Sequence, residues 1–200
     1  MARQIIYHFS LNSPWTYLGD ARFQEIAARH GAKIIHKPTN FGMVFPETGG
    51  LPLPKRAPAR QAYRLQELDR WRHHLDIKLV PQPAFFPADE KTAAGMVIAA
   101  ANEGLDCGPL VNGILTAVWA EERNIADDDT LLAIAGERGF DNGAALLAAG
   151  KTEAAEEQRI QNSKDALAGG VFGAPSYVVG EHLFWGQDRL EFLDRALGQT

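Results

Sequence analysis

Gln4-Ile5-Ile6-Tyr7-His8-Phe9 is followed by Ser10-Leu11-Asn12-Ser13-Pro14 and then by Trp15-Thr16-Tyr17-Leu18-Gly19. The first run is apolar and β-leaning and reads as a buried strand. The second is a loop that ends as a helix begins. Ser13 can cap, and Pro14 suits the first helical position, where no N–H is needed. Trp15, Leu18, Phe23, Ile26 and Ala27 continue at roughly helical spacing, and Gly31 follows as a stop. Ala32 to Lys37 reads as a second strand, closed by Pro38. Strand, helix and strand in so short a stretch predict a parallel pair joined by a right-handed crossover.

Beyond Pro38 the texture changes. Residues 41–58 are rich in Gly and Pro and predict a loop over the surface. Residues 59–75 return to a helical pattern, with Tyr63, Leu65, Leu68 and Trp71 as its apolar positions, and Pro81-Gln82-Pro83 breaks the chain again. Helices are predicted over 93–103, 110–123, 129–138, 142–149 and 152–168. Asp129 and Thr152 serve as caps, and Gly104, Gly139 and Gly150 as stops. The last thirty residues switch back. Gly169-Gly170-Val171-Phe172-Gly173-Ala174-Pro175 is a tight approach to a hairpin of strands 176–179 and 182–185, turned at Gly180-Glu181. Gly186-Gln187-Asp188 introduces a final helix over 189–197. The class is α/β. Residues 1–42 and 169–200 complete one four-stranded sheet, and 43–168 form an inserted helical subdomain of roughly 120 residues, an ordinary size for a domain.

Composition narrows the function. The chain has 200 residues, enough to bury a core without staples. Its formal net charge is −5 and it has no long basic stretch, which argues against a nucleic-acid partner. Cys107 is the one cysteine, so neither an intramolecular disulfide nor a redox pair within one chain can form. No apolar run reaches the length of a membrane span, and the first residues lack the core of a secretory signal. These features together predict a cytoplasmic protein.

Four segments in order resemble one family. Ser13-Pro14-Trp15-Thr16-Tyr17-Leu18-Gly19 is similar to the Ser-Pro-aromatic segment of kappa-class glutathione transferases and 2-hydroxychromene-2-carboxylate isomerases. Pro54-Lys55, Tyr63 and Arg70-Trp71 resemble the segment after their second strand. Phe172-Gly173-Ala174-Pro175-Ser176 resembles their cis-proline segment, and Phe184-Trp185-Gly186-Gln187-Asp188-Arg189-Leu190 their glutathione-binding helix start. The resemblance spans essentially the whole chain and is closer to the isomerases. It implies a DsbA-like thioredoxin fold, whose helical block interrupts the sheet. It also implies glutathione as cofactor and a small aromatic enone acid as substrate. Asn12, Trp15 and the Pro-rich segment 51–58 depart from the family pattern.

Several roles follow from the resemblance. Ser13 stands where a thioredoxin places its attacking cysteine, and Thr16 where it places the second. Ser13 would hydrogen-bond the glutathione thiolate, with the helix N-terminus favouring the anion. Read on its own, Ser13 is an ordinary cap, and the two roles are compatible. Pro175 is the candidate cis-proline, and Ala174 would offer its backbone to glutathione. Gln187 and Asp188 would hold the γ-glutamyl end, Asp188 also being a natural cap. Lys55 is a candidate for a carboxylate of glutathione or substrate, and otherwise a solvated lysine. His73-His74 point in different directions on a helix and form no metal set, and Cys107 reads as a passive thiol. A conjugating transferase and a glutathione-binding protein without turnover stand as rivals. Oligomeric state is open, a homodimer included.

Overall fold

The structure is a computed structural model and describes residues 3–199. Strand β1 (Gln4–Phe9) leads into helix α1 (Pro14–Arg29) and strand β2 (Lys33–Pro38). Helices α2 (Phe41–Thr48), α3 (Pro58–His74), α4 (Lys91–Asn102), α5 (Gly108–Trp119), α6 (Asp128–Glu137), α7 (Gly143–Gly150) and α8 (Glu153–Ala168) follow. The chain closes with β3 (Ser176–Val179), β4 (His182–Trp185) and α9 (Leu190–Gly198). The four strands form one sheet in the order β2-β1-β3-β4. The β1–β2 pair is parallel, as the crossover requires, and β3 and β4 run antiparallel to their neighbours. This is the thioredoxin-like sheet with a large helical insertion that the sequence predicts.

The sheet buries its aromatic side chains. Tyr7 stacks on Phe9 at 4.5 Å and on Tyr177 at 5.3 Å, and Phe23 from α1 packs against both tyrosines at 4.6 Å. The same cluster of buried residues continues into Met96, Ile114, Trp119 and Leu131, so one core runs beneath both the sheet and the helical block. Large aromatic side chains bury the most apolar area per residue and dominate such a core.

The structure departs from the sequence expectations in four places. Residues 41–58 are not simply a loop. Asn40 caps Gly42 N–H at 3.0 Å, Phe41 and Val44 pack against Ala166 and Val171, and α2 forms despite Pro46, ending at the left-handed Gly49. A 3-10 turn, Leu53–Lys55, follows. The cap of α6 is Asp127, whose carboxylate accepts from Thr130 N–H at 2.9 Å, and not Asp129. Gly150 is more than a stop. A Cβ there would stand 2.6 Å from Met96 N, because α4 and α7 cross in backbone contact at Gly95 and Gly150. On α3 the buried residues are Arg64 and Leu68, while Tyr63 is 56% exposed.

Candidate active site

Sheet register brings the predicted site residues to one end. Phe9, the last residue of β1, pairs with Pro38, the last of β2. On the other side His8 pairs with Ser176, and Ser176 pairs with Trp185. The loop carrying Ser13, the turn carrying Ala174 and Pro175, and the turn carrying Gln187 and Asp188 therefore leave the sheet at the same edge. Lys55 lies beyond α2 on the excursion that departs from that edge. It is exposed and has no ion-pair partner among the described residues.

Ser13 caps α1. Its Oγ accepts from Thr16 N–H at 3.2 Å, and its carbonyl accepts from Tyr17 N–H at 3.1 Å. Capping uses a lone pair of the hydroxyl and leaves its proton available to donate. The Trp15 N–H also has no acceptor among the described residues. Thr16 is fully buried, and its hydroxyl has no partner among the described residues. The Ser13 cap is thus a helix N-terminus carrying a spare O–H donor and a spare N–H donor, a setting that favours an anion.

The Ala174–Pro175 peptide bond is cis. Neither the N–H nor the C=O of Ala174 has a partner among the described residues. The turn itself is firmly held: Ser176 Oγ donates to Gly173 O at 2.7 Å, and Gly186 N–H donates to Pro175 O at 2.9 Å. Gly173 lies beneath the Trp185 indole, where a Cβ would approach Nε1 to 2.4 Å. A free N–H and C=O pair on a turn held in this way can pair with an extended peptide.

Gln187 and Asp188 differ from each other. Gln187 is 2% exposed, and its Oε1 accepts from Arg22, which also donates to Gln187 O at 3.3 Å. Its side chain is therefore committed to α1. Asp188 is exposed and makes an ion pair of 3.5 Å with Arg189. It does not cap: Gly186, at φ 101°, precedes a 3-10 turn, Gln187–Arg189, without a side-chain cap. The N–H groups of Gln187 and Asp188 have no acceptor among the described residues. Gly19 lets α1 approach this turn, since a Cβ there would lie 2.7 Å from Gln187 Cβ and 3.0 Å from Tyr177 Oη.

The structure adds residues that sequence reading missed. Glu90, from the helical block, accepts from Ser10 Oγ at 2.8 Å and from Asn12 N–H at 2.9 Å, and pairs with Arg159 at 3.1 Å. The Asn12 amide in turn binds the backbone of Ala88. The loop before Ser13 is thus held from the insertion. Arg22 holds the Gln187 turn in the same way. Nothing local marks these residues, because their partners are 69 to 165 positions away. Beneath the site Asp20 is buried and accepts from Gln24 at 3.0 Å and from Asn112 at 3.2 Å. Burial pushes its carboxyl up to about 6, against these hydrogen bonds.

Cys107 precedes α5 next to Asp106 and is buried, and burial pushes its thiol up to about 12, which disfavours the thiolate. A cavity of about 300 Å³ beside β2 is lined by His36, Lys37, Cys107, Gln158 and Asn162 among others, and by none of the predicted site residues. Among the described residues no group of His, Cys, Asp or Glu side chains is placed to hold a metal, and no helix is long and apolar enough to cross a membrane.

Comparison with known proteins agrees with the fold. The family model of the DSBA-like thioredoxin domain matches residues 4–198. The chain belongs to this family. This DSBA-like protein is 29% identical to the 2-hydroxychromene-2-carboxylate isomerase of Pseudomonas putida over 96% of its own length and 93% of the relative's. It is 24% identical to human glutathione S-transferase kappa 1, over 100% and 92% of the two chains. A solved 2-hydroxychromene-2-carboxylate isomerase superposes with a TM-score of 0.83 at 25% identity, covering 98% of this chain and 95% of that one. The cytosolic disulfide reductase DsbM of Pseudomonas aeruginosa, solved with GSH, shares the fold at a TM-score of 0.66 and 20% identity, over 98% and 99% of the two chains. The DSBA-like chain thus groups with relatives named as isomerases and a glutathione transferase, which supports an enzymatic role.

Proposed function

We propose that this protein is a glutathione-dependent cis-trans isomerase of the 2-hydroxychromene-2-carboxylate type. The observation that carries the reading is Ser13. It caps α1 while keeping its hydroxyl proton, at the position where disulfide-exchanging relatives of the fold need a thiol. A chain whose single thiol is buried elsewhere has to borrow one.

The Ser13 O–H and the Trp15 N–H, at the positive end of α1, stabilise an external thiolate. The free backbone of Ala174 pairs with the peptide of glutathione, and Pro175 sets the shape of that turn. The free N–H groups of Gln187 and Asp188 receive the γ-glutamyl carboxylate, and the Asp188 carboxylate pairs with its ammonium. The Gln187 side chain acts through Arg22, by fixing the turn. Lys55 supplies positive potential for a carboxylate. Glutathione when bound contributes its thiolate as a nucleophile. Acting on the ring-opened cis enone, formed when the hemiketal C–O bond breaks and the hydroxyl proton passes to the phenolic oxygen, that thiolate would supply reversible addition and elimination, which would give a trans benzylidenepyruvate-type acid and return the thiol. Residues 1–42 and 169–200 act as the glutathione-binding unit and 43–168 as the insertion that shapes the substrate side. A cytoplasmic location suits the need for reduced glutathione.

The test is stoichiometry. With 2-hydroxychromene-2-carboxylate and sub-stoichiometric glutathione, complete conversion at constant free thiol is the expected result. Thiol loss equal to product would establish a conjugating transferase, the reading that the kappa-class relative favours. Glutathione binding without reaction would remove the substrate assignment.

A further inference from the structure

Arg64 is 9% exposed on the inward face of α3, yet among the described residues no carboxylate or carbonyl partners it. Its Nη2 is a buried donor without an acceptor, and so is the neighbouring Trp119 Nε1. The guanidinium lies 5.4 Å from the centre of the Phe86 ring and 5.7 Å from that of Trp119, and the two rings are 4.9 Å apart. Burial lowers its pKa to about 10, and the one charge that acts on it, the cation Arg56, adds to the lowering. Arg159 shows the contrast. Its side chain is equally buried, but Glu90 and Glu156 neutralise it. A buried charge is costly unless paired, and contact with aromatic rings offsets only part of that cost.

The cluster is tied to the Ser13 loop. Phe86 stands two residues before Ala88, whose backbone is bound by the amide of Asn12, the residue preceding Ser13. Arg64 keeps 9% of its surface exposed and Phe86 is half-buried, while Trp119 closes the inner end of the cluster. Two aromatic rings, orphan donors and an unneutralised guanidinium are complementary to a flat acid. The rings match its conjugated body and the guanidinium its carboxylate.

We propose that Arg64, framed by Phe86 and Trp119, receives the carboxylate of a planar conjugated acid and so selects acids over their neutral analogues. For the reaction this rests on the isomerase reading; for binding it stands alone. The probe is trans-cinnamate, compared with trans-cinnamamide, titrated calorimetrically and by tryptophan fluorescence into wild type, Arg64→Lys and Arg64→Met. Wild type should bind cinnamate at least about tenfold tighter than the amide, as expected for hydrogen bonds to a charged group. Arg64→Met should lose that preference while melting no lower than wild type, because an unpaired buried charge is gone. Arg64→Lys should keep part of it. A merely structural arginine would lower the melting temperature and leave the acid-to-amide ratio unchanged, which overturns the proposal. A wild-type ratio near one overturns it as well, even if Arg64→Met does not fold. Glutathione titrations of the same proteins separate the two claims. Cinnamate preference without glutathione binding removes the isomerase reading and keeps Arg64, and the converse removes only Arg64.

Discussion

Asn12 and Ala88 are paired like two strand residues: Asn12 Nδ2 donates to Ala88 O at 2.8 Å, and Ala88 N–H donates to Asn12 Oδ1 at 3.0 Å. A single amide side chain thereby joins the loop that positions Ser13 to the irregular segment ahead of α4. Glu90 reinforces the junction two residues later through Asn12 N–H. The Ser13 loop is therefore set by the helical insertion as well as by β1 and α1.

Replacing Asn12 tests that junction. Asn12→Ala removes both bonds to Ala88 and leaves a half-buried backbone unpaired, so we expect a loss of about 1–3 kcal/mol in urea unfolding. Turnover should fall as well, with glutathione affinity less affected, since Ala174 and Gln187 are held by other contacts. An unchanged unfolding midpoint would show that solvent replaces the amide.

Ser13→Ala separates capping from chemistry. Loss of a cap costs about 0.5–2 kcal/mol, which a fold of this size survives. Loss of a donor to a reacting anion costs about 10²–10³-fold in kcat, by analogy with oxyanion-hole deletions. Ser13→Thr, which keeps both the hydroxyl and the cap, should recover most of the activity. Full activity in a folded Ser13→Ala protein would return Ser13 to a purely structural role.

Gly19→Ala tests the approach of α1 to the Gln187 turn. The new Cβ would lie 2.7 Å from Gln187 Cβ, and the backbone of that turn lies just behind it. We expect destabilisation of about 1–3 kcal/mol from overpacking. Glutathione affinity, measured by calorimetry, should weaken, because the N–H groups of Gln187 and Asp188 are displaced. Wild-type affinity in this variant would place the γ-glutamyl end elsewhere.

Stability should rise with pH between about 4 and 6.5. Burial lowers both His8 and His36 to about 4, so in this window the unfolded chain binds protons that the folded chain refuses. Each histidine then costs on the order of 3 kcal/mol on going from neutral pH to 4. Asp20 acts in the opposite sense. With its carboxyl raised to about 6, the folded form binds a proton that the unfolded chain releases, which returns about 3 kcal/mol over the same range. The net loss is on the order of 3 kcal/mol. Urea midpoints from pH 4 to 7 read it directly. Thr39 Oγ1 donates to Lys37 O, so His8 Nδ1 is the donor in their 3.1 Å contact. His8→Asn keeps a donor at that place and leaves only the opposed contributions of His36 and Asp20, so the profile between pH 4 and 7 should become nearly flat.

Local rules were legible in the sequence wherever a residue acts on its near neighbours. The strand from Gln4 to Phe9, the Ser13-Pro14 helix start, the Gly180-Glu181 hairpin and the Thr152 cap all depend on dihedral preference or on a hydrogen bond spanning a few residues. The one-thiol argument needs only a count of cysteines. Sequence reading failed where a distant partner changes the sign of a local preference. Pro46 argues against a helix, but Phe41 and Val44 gain more from packing on Ala166 and Val171 than the proline costs. Gly150 looks like a stop and is also a crossing point, because Gly95 arrives from α4. Arg64 looks like the solvated side of α3 until Phe86 and Trp119 enclose it. The side-chain oxygen of Gln187 is taken by Arg22 from 165 positions away, a partner that no local signal marks. Periodicity and caps, which are short-range, determined the elements and their order. The choice of which polar groups stay free for a ligand was decided only by tertiary structure, since a group is free only when every possible partner in the folded chain has bonded elsewhere.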